Sequence, residues 1–245
     1  KDIYFLSNQS DQEIEVTPEF RIKGKQPEWW DATTGEIRRL PAFEFTENGT
    51  QVPLRLAPFE STFIVFRQTG KASAEGIDAN CPRPETWMAL DKDWNVTFKD
   101  SIRGPKQTQS FDQLIDISTH PDESIRYYSG TLVYYKQISI DQLPTGNIYL
   151  NLHDIGVTAK VTVNGQYAGG VWTPPYRLDI SEWLHKGKNQ ISVEVTTTWQ
   201  NRLIGDSRLP EQERTTWTAC NGWSEKDPLQ KSGLIGPVTL EVVKR

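Results

Sequence analysis

The stretch GKNQISVEVTTTW at residues 187–199 gives the clearest indication of the fold. Ile191, Val193 and Val195 are apolar and alternate with polar residues, and Gly187 and Asn189 precede them as turn residues do. Successive side chains of a β-strand point to opposite faces of its sheet. The alternation therefore predicts a strand that buries one face and exposes the other.

Alternation of this kind recurs on both sides of that stretch. Strands are predicted at 94–98, 131–140, 148–152, 160–163, 177–180, 190–197 and 238–243. Two short helical segments are predicted, one at 112–117 and one at 181–185 with Ser181 as its N-terminal cap. Because no long helix separates the strands, a parallel α/β fold is excluded and a β-sandwich or jelly roll is favoured.

The first 68 residues carry a shorter set of strand patterns. Hairpin-type turns are predicted at Asn48-Gly49 and at 31–35, and they predict a small antiparallel β-sandwich over 1–68. Trp29 and Trp30 are adjacent, so in a strand one of them enters the core and the other faces outward. Residues 69–84 are polar and rich in Gly and Pro, which predicts a linker before a second domain at 85–245.

Composition narrows the class of protein. The chain has 245 residues and a formal net charge of −5, which argues against a nucleic-acid binder. No run approaches the roughly 20 apolar residues that cross a bilayer, so no membrane span is predicted. Nine Trp and a single Met fit a secreted or periplasmic β-protein, particularly one that handles sugars through stacking on flat aromatic faces.

Motifs for self-contained catalysis are missing from the sequence. It has no GxSxG elbow, no phosphate-binding loop, no GxGxxG and no HExxH. Asp91, Asp93 and Asn95 have the spacing that opens a calcium-binding EF-hand loop, but Val96 stands where that loop needs Gly. His153 lies beside Asp154 and is more often a surface or satisfied core group than a base.

Two cysteines leave the redox state open. Cys81 and Cys220 are far apart in sequence, and either a disulfide or two free thiols is compatible with their spacing, with free thiols favoured.

A set of longer motifs resembles known glycosidases. Residues 128–136 (YSGTLVYYK), 148–155 (IYLNLHDI), 161–165 (VTVNG), 174–180 (PPYRLDI) and 232–238 (SGLIGPV) resemble the galactose-binding-like jelly roll that is the sugar-binding domain of family 2 glycosidases. The more specific stretches 199–206 (WQNRLIGD), 3–8 (IYFLSN) and 24–31 (GKQPEWWD) look like the C-terminal part of α-L-rhamnosidases of glycoside hydrolase family 106. The resemblance covers nearly the whole chain.

This resemblance implies that the catalytic acid and base lie on an upstream barrel domain. Because the chain starts at Lys1, we expect a fragment that begins after that barrel. The expected role is a non-catalytic accessory C-terminal region of a carbohydrate-active hydrolase, which braces the barrel and contacts a plant or bacterial glycan. The alternatives are an independent carbohydrate-binding module and, less favoured, a complete small enzyme.

Cofactor and location follow from the same resemblance. No cofactor is expected; the resemblance allows a structural calcium, for which the sequence names no ligand set. Resemblance and composition together imply an exported bacterial protein, periplasmic or extracellular, that acts in polysaccharide degradation.

Seven side chains are candidates for contact with carbohydrate or with the neighbouring domain. They are Trp172, Tyr176, Trp199, Asn201, Arg202, Asp206 and Trp217. The cluster at 201–206 either faces a sugar, where Arg matches the carboxylate of a uronic acid, or forms an Arg202–Asp206 ion pair that pins the segment. Trp172 and Tyr176 flank a double proline and either stack on a ligand or cover an edge of the core, with the core favoured.

Overall fold

The computed structural model describes residues 1–73, 75–100, 103–220 and 222–244. It divides into two compact units. Unit 1 contains residues 1–85 with the last residues from 243 onward, and unit 2 contains residues 86–242. Both are built from antiparallel strands, which confirms the predicted all-β sandwich class.

The described residues of unit 1 form nine strands and one helical turn. They are β1 (Asp2–Ser7), β2 (Ile14–Val16), β3 (Glu19–Phe20), β4 (Lys25–Trp30), β5 (Ile37–Arg39), β6 (Glu44–Phe45), β7 (Thr50–Gln51), β8 (Leu54–Leu56), β9 (Ser61–Thr69) and α1 (Ile77–Asn80). The largest sheet has the order β1-β9-β4-β5. The pair β2-β8 and the small sheet β3-β7-β6 complete the unit. Apolar side chains from these sheets pack into one core.

Two local predictions for unit 1 are confirmed. Trp29 is buried in the core, whereas Trp30 is only half-buried and lies under the cations of Lys1 and Arg67. Residues 46–49 turn between β6 and β7. Gly49 is required there, because a Cβ at this position would lie 2.0 Å from the carbonyl oxygen of Phe20.

The polar stretch at 69–84 contributes to the interior of unit 1. The helix α1 ends in Asn80, whose side chain is fully buried and bonds to the backbone of Ala42 and Pro53. Cys81 packs with the core and accepts a hydrogen bond from the backbone N–H of Arg55. Cys81 is buried, Cys220 is exposed, and both are free thiols.

In unit 2, the residues that the structure describes form ten strands and several short helical segments. The strands are β10 (Glu85–Ala89), β11 (Lys92–Phe98), β12 (Gln109–Gln113), β13 (Thr131–Ile140), β14 (Asn147–Asn151), β15 (Thr158–Val163), β16 (Gln166–Val171), β17 (Arg177–Asp179), β18 (Gly187–Thr196) and β19 (Thr239–Val243). The helices are α2 (Glu123–Arg126) and α3 (Gln200–Ser207), and short 3-10 turns span Ile117–Thr119, Ser181–Trp183 and Glu211–Glu213.

The ten strands form two sheets around one core. The six-stranded sheet has the order β12-β11-β13-β18-β15-β16, and the four-stranded sheet has the order β10-β19-β14-β17. Strands β13 and β18 pair without a bulge over ten residues. Ile191, Val193 and Val195 are completely buried, so the alternation at 187–199 predicted the inward face of the central strand.

Two of the predicted helical details are wrong. Asp112 belongs to β12, and the 3-10 turn begins only at Ile117, because Phe111 enters the core as a strand residue paired with Trp94. Ser181 is the first residue of its turn and not the cap. Its hydroxyl instead donates to Asp179 and accepts from the backbone N–H of Ile148.

No helix among the described residues is long and apolar enough to cross a bilayer.

Candidate functional site

The candidate site lies where the central strand β18 ends and the helix α3 begins. No helix was predicted for this segment, whereas the structure forms two helical turns over Gln200–Ser207. Asn201 is buried, and its amide exchanges two hydrogen bonds with the backbone of Gln230, at 2.7 and 2.8 Å. The backbone N–H of Arg202 donates to the hydroxyl of Ser129. These contacts fix the start of the helix to two neighbouring segments.

A buried ion pair joins successive turns of α3. Nη2 of Arg202 lies 2.6 Å from Oδ1 of Asp206, and the side chains are 10% and 3% exposed. Oδ2 of Asp206 accepts hydrogen bonds from the backbone N–H groups of Thr215 and Thr216 and from the hydroxyl of Thr216. Asp206 therefore holds the segment at 215–216 against the helix, which agrees with the ion-pair interpretation of these residues.

Close packing explains the glycine inside α3. A Cβ on Gly205 would lie 2.7 Å from Cγ of Tyr127. Alanine favours a helix over glycine by about 1 kcal/mol, but overpacking costs about 1–3 kcal/mol. We expect Gly205→Ala to lower the free energy of unfolding, measured by denaturant titration. Gly76→Ala is the control, since no described atom lies within 4 Å of its added methyl; a stabilising effect of Gly205→Ala would contradict the packing argument.

A cavity of about 390 Å³ opens beside α3. It is lined by Arg103, Trp199, Leu203, Thr215, Thr216, Trp217 and Thr218. The indole of Trp217 is 87% exposed and that of Trp199 is 51% exposed. Two of the seven predicted residues, Trp199 and Trp217, thus meet at one cavity.

Arg103 reaches the cavity from a segment far upstream in the sequence. Its guanidinium lies 4.6 Å from the ring centroid of Trp199 and forms an ion pair with Asp100. The hydroxyl of Tyr128 accepts from the backbone N–H of Asp100 and donates to the carbonyl of Thr131. Burial raises the pKa of Tyr128, so the phenol stays protonated and keeps this link at neutral pH.

A second charged cluster lies at the C-terminal end of α3. Arg208 donates to the carboxylate of Glu123 and to the hydroxyl of Tyr127. The hydrogen bond from Arg208 lowers the pKa of Glu123. This cluster is exposed, and none of its members lines the cavity.

The remaining predicted pair lies elsewhere in unit 2. Trp172 follows β16 and is 67% exposed, so the favoured core placement is wrong for this residue. Tyr176 is half-buried and packs against the core. Burial raises the pKa of Tyr176, and the charge of Asp154 adds to the effect. Neither residue lines the cavity at α3.

Groups able to perform acid–base chemistry are scarce around the cavity. None of the described residues that line it is Asp, Glu, His or Cys. Elsewhere in unit 2, Glu241 lies 3.7 Å from Nε2 of His153, but Glu241 is buried and accepts from Asn151 and Thr239. Across the described ranges, no three His, Cys, Asp or Glu side chains are grouped as a metal ion would require.

Both units of the chain resemble parts of known proteins. A family model described as alpha-L-rhamnosidase, that of glycoside hydrolase family 106, matches residues 1–45. A model described as the glycosyl hydrolase 2 galactose-binding domain-like domain matches residues 114–231, which include β18, α3 and Trp217. The solved rhamnosidase from Novosphingobium sp. PP1Y is 33% identical, covers 98% of this chain and superposes with a TM-score of 0.84. The chain is related to glycoside hydrolases.

A curated relative supports the same relationship. The "Putative beta-glucuronidase" of Formosa agariphila is 32% identical over 214 residues, which cover 77% of this glycoside-hydrolase-related chain. The chain spans only 22% of the Novosphingobium rhamnosidase and 18% of the Formosa protein. The resemblance seen in the sequence motifs is confirmed, and both relatives are several times longer than this chain.

Proposed function

We propose that this chain is a non-catalytic accessory region of an α-L-rhamnosidase-like glycoside hydrolase. The observation that carries the proposal is the cavity at α3, whose lining contains no carboxylate among the described residues. Most glycosidases use two carboxyl groups on opposite sides of the scissile bond. Two acids contact residues of the lining: Asp206 accepts from Thr215 and Thr216 but is buried and paired with Arg202, and Asp100 is paired with Arg103. The catalytic acid and base are then expected outside this chain.

An exposed apolar face on unit 1 supports a bracing role. Phe5, Phe63, Trp30 and Ile37 are cross-strand neighbours on one face of the sheet β1-β9-β4-β5. Phe5 is 61% exposed and Ile37 is 52% exposed, and Ile3 beside them is 55% exposed. Contiguous exposed apolar surface commonly marks an interaction site. We propose that the upstream catalytic barrel of the same polypeptide covers this face.

We propose that this chain is part of a secreted hydrolase. The abundance of Trp and the relationship to glycoside hydrolases support an exported enzyme, periplasmic or extracellular, that degrades plant or bacterial polysaccharide. The names of the two relatives differ in the sugar that they imply, rhamnose for one and glucuronic acid for the other. We favour an α-L-rhamnosidase-like parent enzyme because a family model and a solved structure both support it.

The accessory role predicts that this chain alone cleaves no glycoside. We expect no release of nitrophenol from p-nitrophenyl α-L-rhamnoside or p-nitrophenyl β-glucuronide by the folded chain. The positive control is the full-length parent polypeptide, which should cleave the rhamnoside and not the glucuronide. Turnover of either substrate by this chain would overturn the proposal, and circular dichroism must first show that the chain is folded.

A further inference from the structure

We propose that the cavity at α3 binds one neutral pyranose residue of a glycan, with the indole of Trp217 as its stacking surface. This site goes beyond the accessory role. It draws on the relationship to glycoside hydrolases and does not depend on whether the chain is catalytic. Three features of the cavity support this assignment: its size, the anchoring of Trp217, and the charge of the residues that line it.

The cavity has the size and composition of a small-ligand site. Its volume of about 390 Å³ falls in the range of roughly 300–1,000 Å³ that is typical of such sites. Apolar surface is supplied by Trp199, Trp217 and Leu203. The aromatic faces of the two Trp side chains can stack on the C–H faces of sugar rings. The hydroxyls of Thr215 and Thr216 are turned to Asp206, so these threonines contribute little polarity to the wall.

Trp217 is exposed although the residues before it are firmly held. Asp206 accepts the backbone N–H groups of Thr215 and Thr216, and Arg202 holds Asp206 from inside the helix. An indole that is 87% exposed next to such an anchor keeps its apolar surface available to a ligand. These hydrogen bonds of Asp206 exist before a ligand binds, so binding costs little conformational entropy of the segment that carries Trp217.

The charge of the wall favours a neutral sugar over a uronic acid. Arg103 is the charged residue in the lining, and its guanidinium is balanced by Asp100. Arg202, which the sequence suggested as a carboxylate receptor, is buried and paired with Asp206. A guanidinium has five N–H donors, and an ion pair with one carboxylate does not occupy all of them. Arg103 can therefore donate hydrogen bonds to sugar hydroxyls as well.

The test is titration calorimetry of the folded chain with L-rhamnose, D-galactose and D-galacturonate, followed by neutral oligosaccharides of the same sugars. We expect binding of at least one neutral sugar, with little dependence on salt. Trp217→Ala should weaken it at least tenfold without changing the melting temperature, because the side chain is largely exposed. Tyr167→Ala is the matched control, since Tyr167 is likewise a solvent-exposed aromatic side chain of unit 2 but does not line the cavity.

Three results would overturn the proposal. They are a failure of every neutral sugar to bind, preferential binding of galacturonate, and equal losses of affinity in Trp217→Ala and Tyr167→Ala. None of them bears on the accessory role, which fails only if the chain cleaves a glycoside. The two proposals can therefore fail separately.

Discussion

Replacing Asp206 by alanine is expected to lower the free energy of unfolding of unit 2 by about 3–5 kcal/mol, because removal of one partner leaves a buried charge without compensation. The guanidinium of Arg202 is 10% exposed, and its Nε already has no hydrogen-bond partner among the described residues. Loss of Asp206 would also remove the acceptor for two backbone N–H groups, those of Thr215 and Thr216.

The control for this experiment is an ion pair on the surface of the same unit. Glu123 lies 2.9 Å from Arg208, but both side chains are substantially exposed. Such pairs contribute about 0–1 kcal/mol, so Glu123→Ala should leave stability almost unchanged. Denaturant titration followed by hydrogen exchange in β18 and α3 would measure both variants. Equal effects of Asp206→Ala and Glu123→Ala would show that the buried pair has no special structural role.

Asp206 links stability to the proposed ligand site. Asp206→Ala should lower stability and sugar affinity together, because the segment that carries Trp217 loses its anchor. Trp217→Ala should lower affinity alone, because the side chain is exposed. Comparing stability and sugar affinity in the two variants therefore distinguishes residues that hold the cavity in shape from residues that contact the sugar.

The sheets of unit 2 were predictable because their strands bury one face. Ile191, Val193 and Val195 alternate with polar residues, and that pattern fixes both the strand and its inward side. Strand β16 was not predicted, since its sequence, QYAGGV, alternates weakly. Its pairing with β15 follows instead from the tight turn at Asn164-Gly165. Tertiary pairing thus supplies strands that local patterns do not show.

The candidate site was only partly predictable for a related reason. Helix α3 has eight residues, too few for a helical period to stand out, and its stability comes from contacts such as Gly205 on Tyr127. Trp199 and Trp217 were suggested by composition and resemblance. Arg103 was missed because it precedes Trp199 by almost a hundred residues and has no motif of its own. Which residues share a cavity is decided by the fold.

Replacing Asn80 by alanine is expected to lower the free energy of unfolding of unit 1 by about 2–6 kcal/mol, at about 1–3 kcal/mol for each of the two fully buried backbone groups left without a partner. The side chain of Asn80 is fully buried. It accepts from the N–H of Ala42 at 2.9 Å and donates to the carbonyls of Ala42 and Pro53 at 2.7 and 2.9 Å. One side chain thus satisfies two buried backbone groups of Ala42 and a third, partly buried one of Pro53.

Asn80→Ala is best measured by hydrogen exchange in β4 and β9, because a chain of two units need not unfold in one step. Protection in unit 1 should fall, while protection in β13 and β18 of unit 2 should stay unchanged. Asn48→Ala is the control, since Asn48 is exposed in a turn and surface substitutions usually change stability by less than about 0.5 kcal/mol. If Asn80→Ala were as mild as Asn48→Ala, residues 77–81 would act as a connector on the surface. A large and local loss would instead show that this polar stretch completes the core of unit 1.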